Sequence, residues 1–212
     1  MTADAMATAL DGLAEDVVAD WRWVAEDLSA SVLGMLLYGL ALEIGRTTAT
    51  APRAIDAAVE RCMVEHVGAS TTWSAGLVEA AKRAADDADF HPGHHELIAI
   101  GRTFHGVARS ALVDNVYANF ASVRQAAGLP EPTVVVFVTP LVWLLAAAER
   151  QKGRPLEEAE VLAIRDGAQA ATMPLSQAER FHATMDARMP VPRLHAERVW
   201  EQWQAIRGHI AL

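Results

Sequence analysis

Prolines and glycines cut this chain into helix-sized pieces, and that punctuation constrains its fold more than any other feature. Pro52, Pro140, Pro155, Pro174 and Pro192 stand where apolar-periodic segments open, while Gly45, Gly128, Gly153 and Gly167 stand where they close. Proline suits the first helical turn because its missing N–H has no intrahelical acceptor there, and glycine suits the left-handed residue after the last turn. Between the marks the apolar residues recur at three- and four-residue steps. Ile55, Val59, Cys62, Met63 and His66 form one stripe, and Trp73, Leu77, Ala80, Ala81 and Ala84 form another. Glu79, Lys82, Arg83, Asp86 and Asp87 fall largely off those stripes, as one buried face per helix requires.

The pattern predicts helices at 4–17, 20–45, 52–67, 71–88, 94–127, 139–152, 155–166, 174–188 and 192–209. In Arg154-Pro155-Leu156-Glu157-Glu158 two carboxylates face the positive end of the helix dipole, which marks a start. The expected fold class is all-α, an orthogonal or bundle-like array of about eight or nine helices. Thr133 to Val138 is rich in β-branched residues, but no second strand offers itself, so helix or extended linker is expected there. The chain reads as one helical domain, residues 1–212, with a hinge expected at Gly128-Leu129-Pro130-Glu131-Pro132.

Hydrophobic residues make up 52% of the sequence, yet alanine dominates them, so the slightly positive mean hydropathy reflects helix formers rather than lipid-facing surface. The apolar stretches 31–45 and 133–148 are shorter than a spanning helix, and Glu43 and Pro140 interrupt them. Residues 1–20 carry five acidic groups and no Lys or Arg, the reverse of a secretion signal. Cys62 is the single cysteine, which excludes an internal disulfide and fits a reducing compartment, so a cytoplasmic location is expected. A net charge of −9 and the lack of any basic run disfavour nucleic acid as a partner.

Chemistry-bearing residues concentrate between 91 and 105, which holds His91, His94, His95 and His105 of the eight histidines. Imidazole and carboxylate ligate zinc and related ions, so His91, His94, His95 and Glu96 around the Pro92-Gly93 turn are candidate ligands for a divalent transition metal. Cys62 and His66, four residues apart on one helical face, are a second pair of candidate ligands that need help from another segment. The plainer reading makes the histidines a helix cap and leaves Cys62 and His66 at the core edge. Arg102, His105 and Arg109 share one side of the predicted long helix and form a candidate carboxylate or phosphate site, with ion pairing to neighbouring helices as the plainer reading.

Glu179 and His182 make one Glu-x-x-His pair, but a carboxylate-bridged dimetal centre needs two. Nucleophile elbows, Walker loops and dinucleotide fingerprints are missing from the sequence. Ile55-Asp56-Ala57-Ala58 with Gly68, followed by Val116-Tyr117-Ala118-Asn119-Phe120, resembles helical transcriptional regulators of the TetR type. The likeness ends there: a long acidic stretch intervenes where a short basic recognition helix belongs, so the family is not carried over.

The last predicted helix carries Val199, Trp200, Trp203, Ile206 and Ile210 as a stripe that either packs on its own core or forms a homodimer interface. The expected function is accordingly a non-catalytic helical interaction protein. A metal- or anion-binding enzyme using the His91–His105 region comes second, and a helical regulator third.

Overall fold

A computed structural model describes residues 3–23, 27–188 and 191–210. These residues form ten α-helices, one short 3-10 turn and a two-stranded sheet, so the fold is all-α in class. The chain divides into two compact units, 1–130 and 131–212, parted within the Gly128 to Pro132 segment.

The first unit holds α1 (Ala3–Ala19), α2 (Asp27–Thr48), α3 (Pro52–Val67), α4 (Thr71–Asp86), α5 (Pro92–Thr103) and α6 (Arg109–Ala126). Helix α2 is its axis. Every residue from Val32 to Ala41 is buried, and α2 packs against each of the other five helices. A helix apolar on all sides has no face to give to water, so the remaining elements wrap around it. Gly39 of α2 and Gly101 of α5 let those two helices meet backbone to backbone. A Cβ built on Gly39 would lie 2.1 Å from the Ile98 carbonyl oxygen, and one on Gly101 would lie 2.1 Å from that of Leu36.

Local chemistry sets the ends. Pro52 opens α3, and Gly68 closes it in the left-handed region at φ 74°. The Ser70 side chain accepts the Trp73 N–H at the start of α4. The helix expected over 94–127 is two helices. Helix α5 ends at Thr103, Gly106 takes φ 84°, buried Phe104 anchors the bend, and α6 begins at Arg109. A left-handed residue cannot continue a right-handed helix, so Gly106 is a break rather than a passenger.

The second unit runs β1 (Thr133–Phe137), α7 (Leu141–Lys152), α8 (Glu158–Gly167), β2 (Ala170–Pro174), α9 (Leu175–Asp186) and α10 (Val199–Ile206). The helix or linker expected at 133–138 is a strand. It pairs antiparallel with β2, Val135 opposite Thr172. Its partner, Ala-Ala-Thr-Met-Pro, has little β propensity of its own and is a strand because β1 lies beside it. Helix α8 starts at Glu158, later than the expected 155, with a reciprocal capping box between Glu157 and Glu160. The final helix starts at Val199 rather than near Pro192. Before it, the chain is held extended where the His195 N–H meets Gln202 Oε1 and Arg165 reaches the Ala196 carbonyl.

The stripe on α10 belongs to this unit's own core. Val199 and Trp203 are fully buried with Leu141, Val142, Leu145, Ala146, Leu156 and Val161, while Trp200, Ile206 and Ile210 pack partly buried against them. Glu149 of α7 ties the parts together: its Oε1 accepts the Leu156 N–H at 2.9 Å and the indole N–H of Trp203 at 3.2 Å. Among the described residues no helix is long and apolar enough to cross a membrane.

Candidate functional site

The described residues contain one group of three side chains whose metal-ligating atoms converge: Asp11, Glu65 and His66, all within 4.8 Å of one another. Helices α1 and α3 bring them together. The apolar stripes Leu10, Leu13, Ala14, Val17 and Ile55, Val59, Cys62, Met63 are buried in the same core, which sets Asp11 beside the last turns of α3. His66 Nε2 lies 3.5 Å from Asp11 Oδ1. Between the two carboxylates sits Arg61, with Nη2 2.9 Å from Asp11 Oδ2 and Nη1 2.8 Å from Glu65 Oε2. Those contacts raise the Arg61 pKa above its ordinary value, its hydrogen bond to Asp11 being the largest cause.

Cys62, one turn before His66 on α3, is fully buried. Burial, then the negative charge of Asp11, pushes the thiol up to about 12, so it is protonated and inert as a nucleophile at neutral pH. The pair expected from Cys62 and His66 is not what converges: His66 meets Asp11 of α1 and Glu65 of α3, and Cys62 stands outside the group. Sequence reasoning missed both carboxylates. Glu65 was readable, since it stands three residues after Cys62 on the same helix; Asp11 was not, because nothing local ties α1 to α3.

The histidines after residue 90 do other work, and His91, His94, His95 and Glu96 do not join that group. His91 caps α5, its Nδ1 accepting the His94 N–H at 3.3 Å, and its ring stacks on that of His94 at 3.5 Å between centroids. Burial, then the neighbouring His91, lowers the His94 pKa below its ordinary value. His95 Nδ1 lies 2.7 Å from the Ala84 carbonyl oxygen, which fastens α5 to the end of α4. A carbonyl only accepts, so Nδ1 carries the proton in that contact. Glu96 is exposed.

Arg102, His105 and Arg109 do not share a helical face, because the break at Gly106 separates Arg109 from the other two. Arg109 clamps Asp16 of α1 with Nε and Nη2 and also donates to the Gly12 carbonyl at 2.8 Å. Its fork is spent on holding α6 to α1. Arg102 and His105 lie on the side of Glu43, whose pKa is lowered first by hydrogen bonds to Arg46 and then by the charges of Arg46, His105 and Arg102. Of the three residues expected to form an anion pocket, Arg109 is paired with Asp16, while Arg102 and His105 lie on a separate segment.

The second unit presents a different kind of site, the outer edge of β1. Val138 N–H donates to the Gln169 carbonyl and Leu175 N–H to that of Pro132. With the register of the pair, the alternation of an antiparallel ladder points the N–H and C=O of 134 and 136 toward β2 and those of Thr133, Val135 and Phe137 outward. Helix α9 packs against both strands, and Val136 is buried. Val135 is 58% exposed, and Val138 and Trp143 nearby in sequence are 44% and 49% exposed. Large apolar side chains left in water beside an unpaired strand edge are unusual, since edges are normally guarded by charge or proline.

Compared with known proteins, the chain matches no family model, no curated protein and no solved structure.

Proposed function

We propose that this protein is a non-catalytic helical binding protein that associates with a second copy of itself along the outer edge of β1. The carrying observation is the edge itself: five residues, Thr-Val-Val-Val-Phe, without charge or proline, whose outward peptide groups find no partner among the described residues. The opposite edge, on β2, is guarded. There the outward positions are Ala170, Thr172 and Pro174, and Pro174 has no N–H to give.

A two-fold antiparallel pairing centred on Val135 suits this edge. It sets Thr133 against Phe137 of the partner subunit and makes six peptide hydrogen bonds. It also sets Glu131 opposite Thr139 of the partner subunit rather than another carboxylate, so the net charge of −9 does not act at the seam. Six hydrogen bonds at about 1 kcal/mol each are largely offset by the loss of translational and rotational freedom, so the dimer is weak and draws its remaining stability from burial of the exposed Val135 of both copies.

This places the self-contact on β1 instead of the α10 stripe, whose two deepest residues lie in the core. The acidic charge accords with a function away from nucleic acid, and the buried lone thiol of Cys62 with the cytoplasm.

The test is sedimentation velocity of the full chain over a concentration series, beside a Val135→Pro variant. That proline removes an N–H the internal ladder does not use, and the extended Val134 before it tolerates a following proline. Dimerisation of the wild type and its loss in Val135→Pro, with unchanged circular dichroism, are expected. A wild type that stays monomeric at millimolar concentration, or a variant that dimerises equally well, refutes the reading.

A further inference from the structure

Independently of self-association, we infer that Asp11, Glu65 and His66 form a binding site for one divalent transition-metal ion of the zinc class. The geometry of the two nearest ligands carries the argument. Two ligands of a tetrahedral zinc at 2.0–2.1 Å stand about 3.4 Å apart. Asp11 Oδ1 and His66 Nε2 stand 3.5 Å apart, long for a hydrogen bond and right for one edge of a coordination tetrahedron.

Arg61 bonds both oxygens of Asp11, Oδ2 at 2.9 Å and Oδ1 more weakly at 3.2 Å, and it takes Oε2 of Glu65 while Oε1 has no bond to it. A cation held by Oδ1, Oε1 and Nε2 replaces the longer contact on Oδ1 and leaves the guanidinium on Oδ2 and Oε2, where it orients both ligands as an outer-shell partner does. Glu65 is half exposed and long enough to close the remaining distance.

Charge points the same way. Asp11 and Glu65 contribute two negative charges and Arg61 one positive, so with a neutral imidazole the group keeps an unbalanced negative charge. The donor set also has a character. Carboxylate oxygen alone suits magnesium or calcium, whereas an imidazole nitrogen added to two carboxylates suits zinc or cobalt, with solvent completing the shell.

Full-length protein without an affinity tag, stripped with chelator, is titrated with zinc chloride by calorimetry and with cobalt chloride by absorption. Expected are one equivalent of zinc bound at micromolar or tighter Kd and, with cobalt, visible d–d absorption that saturates at one equivalent. His66→Ala and Asp11→Asn weaken zinc binding at least tenfold, while the double variant His91→Ala, His94→Ala leaves it unchanged. Circular dichroism checks that each variant folds, and His66→Gln stands in should the alanine fail. Absence of saturable binding assigns the group to a plain ion-pair network and overturns the site. So does zinc binding indifferent to both His66 variants, or binding that disappears with His91 and His94.

Discussion

Substituting Gly101 of α5 with alanine tests the central packing of the first unit. The added methyl would sit 2.1 Å from the Leu36 carbonyl oxygen, against 3.4–4 Å for an ordinary contact. Neither backbone yields alone, since both belong to helices, so α2 and α5 must move apart by more than 1 Å. A gap of that size forfeits about a quarter to a half of the dispersion energy of each contact it opens. The flanking pairs include Leu36, Leu37, Leu97 and Ile98, all buried.

Overpacking of this kind costs about 3 kcal/mol, and the helix propensity gained by replacing glycine returns about 1 kcal/mol. The net loss is about 2 kcal/mol, or a Tm lower by roughly 4–8 °C for a chain of this size. Gly39→Ala meets the Ile98 carbonyl at the same 2.1 Å and predicts the same loss. Gly76→Ala is the matched control: it lies inside α4 with nothing within 4 Å of its Cβ, so it gains about 0.5–1 kcal/mol. Urea titration followed by hydrogen exchange of α2 and α5 peptides measures all three. A Gly101→Ala protein as stable as wild type, or a Gly76→Ala protein as damaged as Gly101→Ala, refutes the reasoning.

Two further outcomes follow from the second unit. Glu149→Ala leaves the buried Trp203 indole N–H and the Leu156 N–H without their acceptor and costs about 2–3 kcal/mol in urea denaturation, whereas Glu149→Gln, which keeps an acceptor, costs less than half of that; equal losses would show that charge, not the hydrogen bond, matters. Glu160, hydrogen-bonded to Lys152, to Arg154 and to the Glu157 backbone N–H, has its pKa lowered to about 2. A depressed carboxyl pKa adds stability above the unfolded value and loses it as pH falls through the folded value. The Tm gap between wild type and Glu160→Gln is therefore full at neutral pH and closes between about pH 4.5 and pH 2, and a gap independent of pH counts against the linkage.

Local rules carried much of this fold into view. The start of α3 follows from Pro52 and the span of α7 from Pro140 and Gly153, because caps and the αL residue act within one turn of the chain. The single buried stripe of α3 and of α4 was equally legible, as each depends only on which residues face inward along one helix. What escaped was non-local. The break at Gly106 falls inside the helix expected over 94–127 and is fixed by buried Phe104, and β1 had no visible partner because β2 is alanine-rich and 33 residues further on.

The candidate sites divide along the same line. Cys62 and His66 are one helical turn apart, so their shared side is a property of the sequence. Asp11 arrives only because α1 packs on α3, and Arg109, parted from Arg102 and His105 by the break at Gly106, is turned to Asp16 of α1 instead. Periodicity and capping chemistry thus determined that this chain is helical and roughly where its helices stop. Tertiary packing decided which faces meet, since burial of an apolar stripe is indifferent to the identity of the partner stripe, and close approach at Gly39 and Gly101 is not.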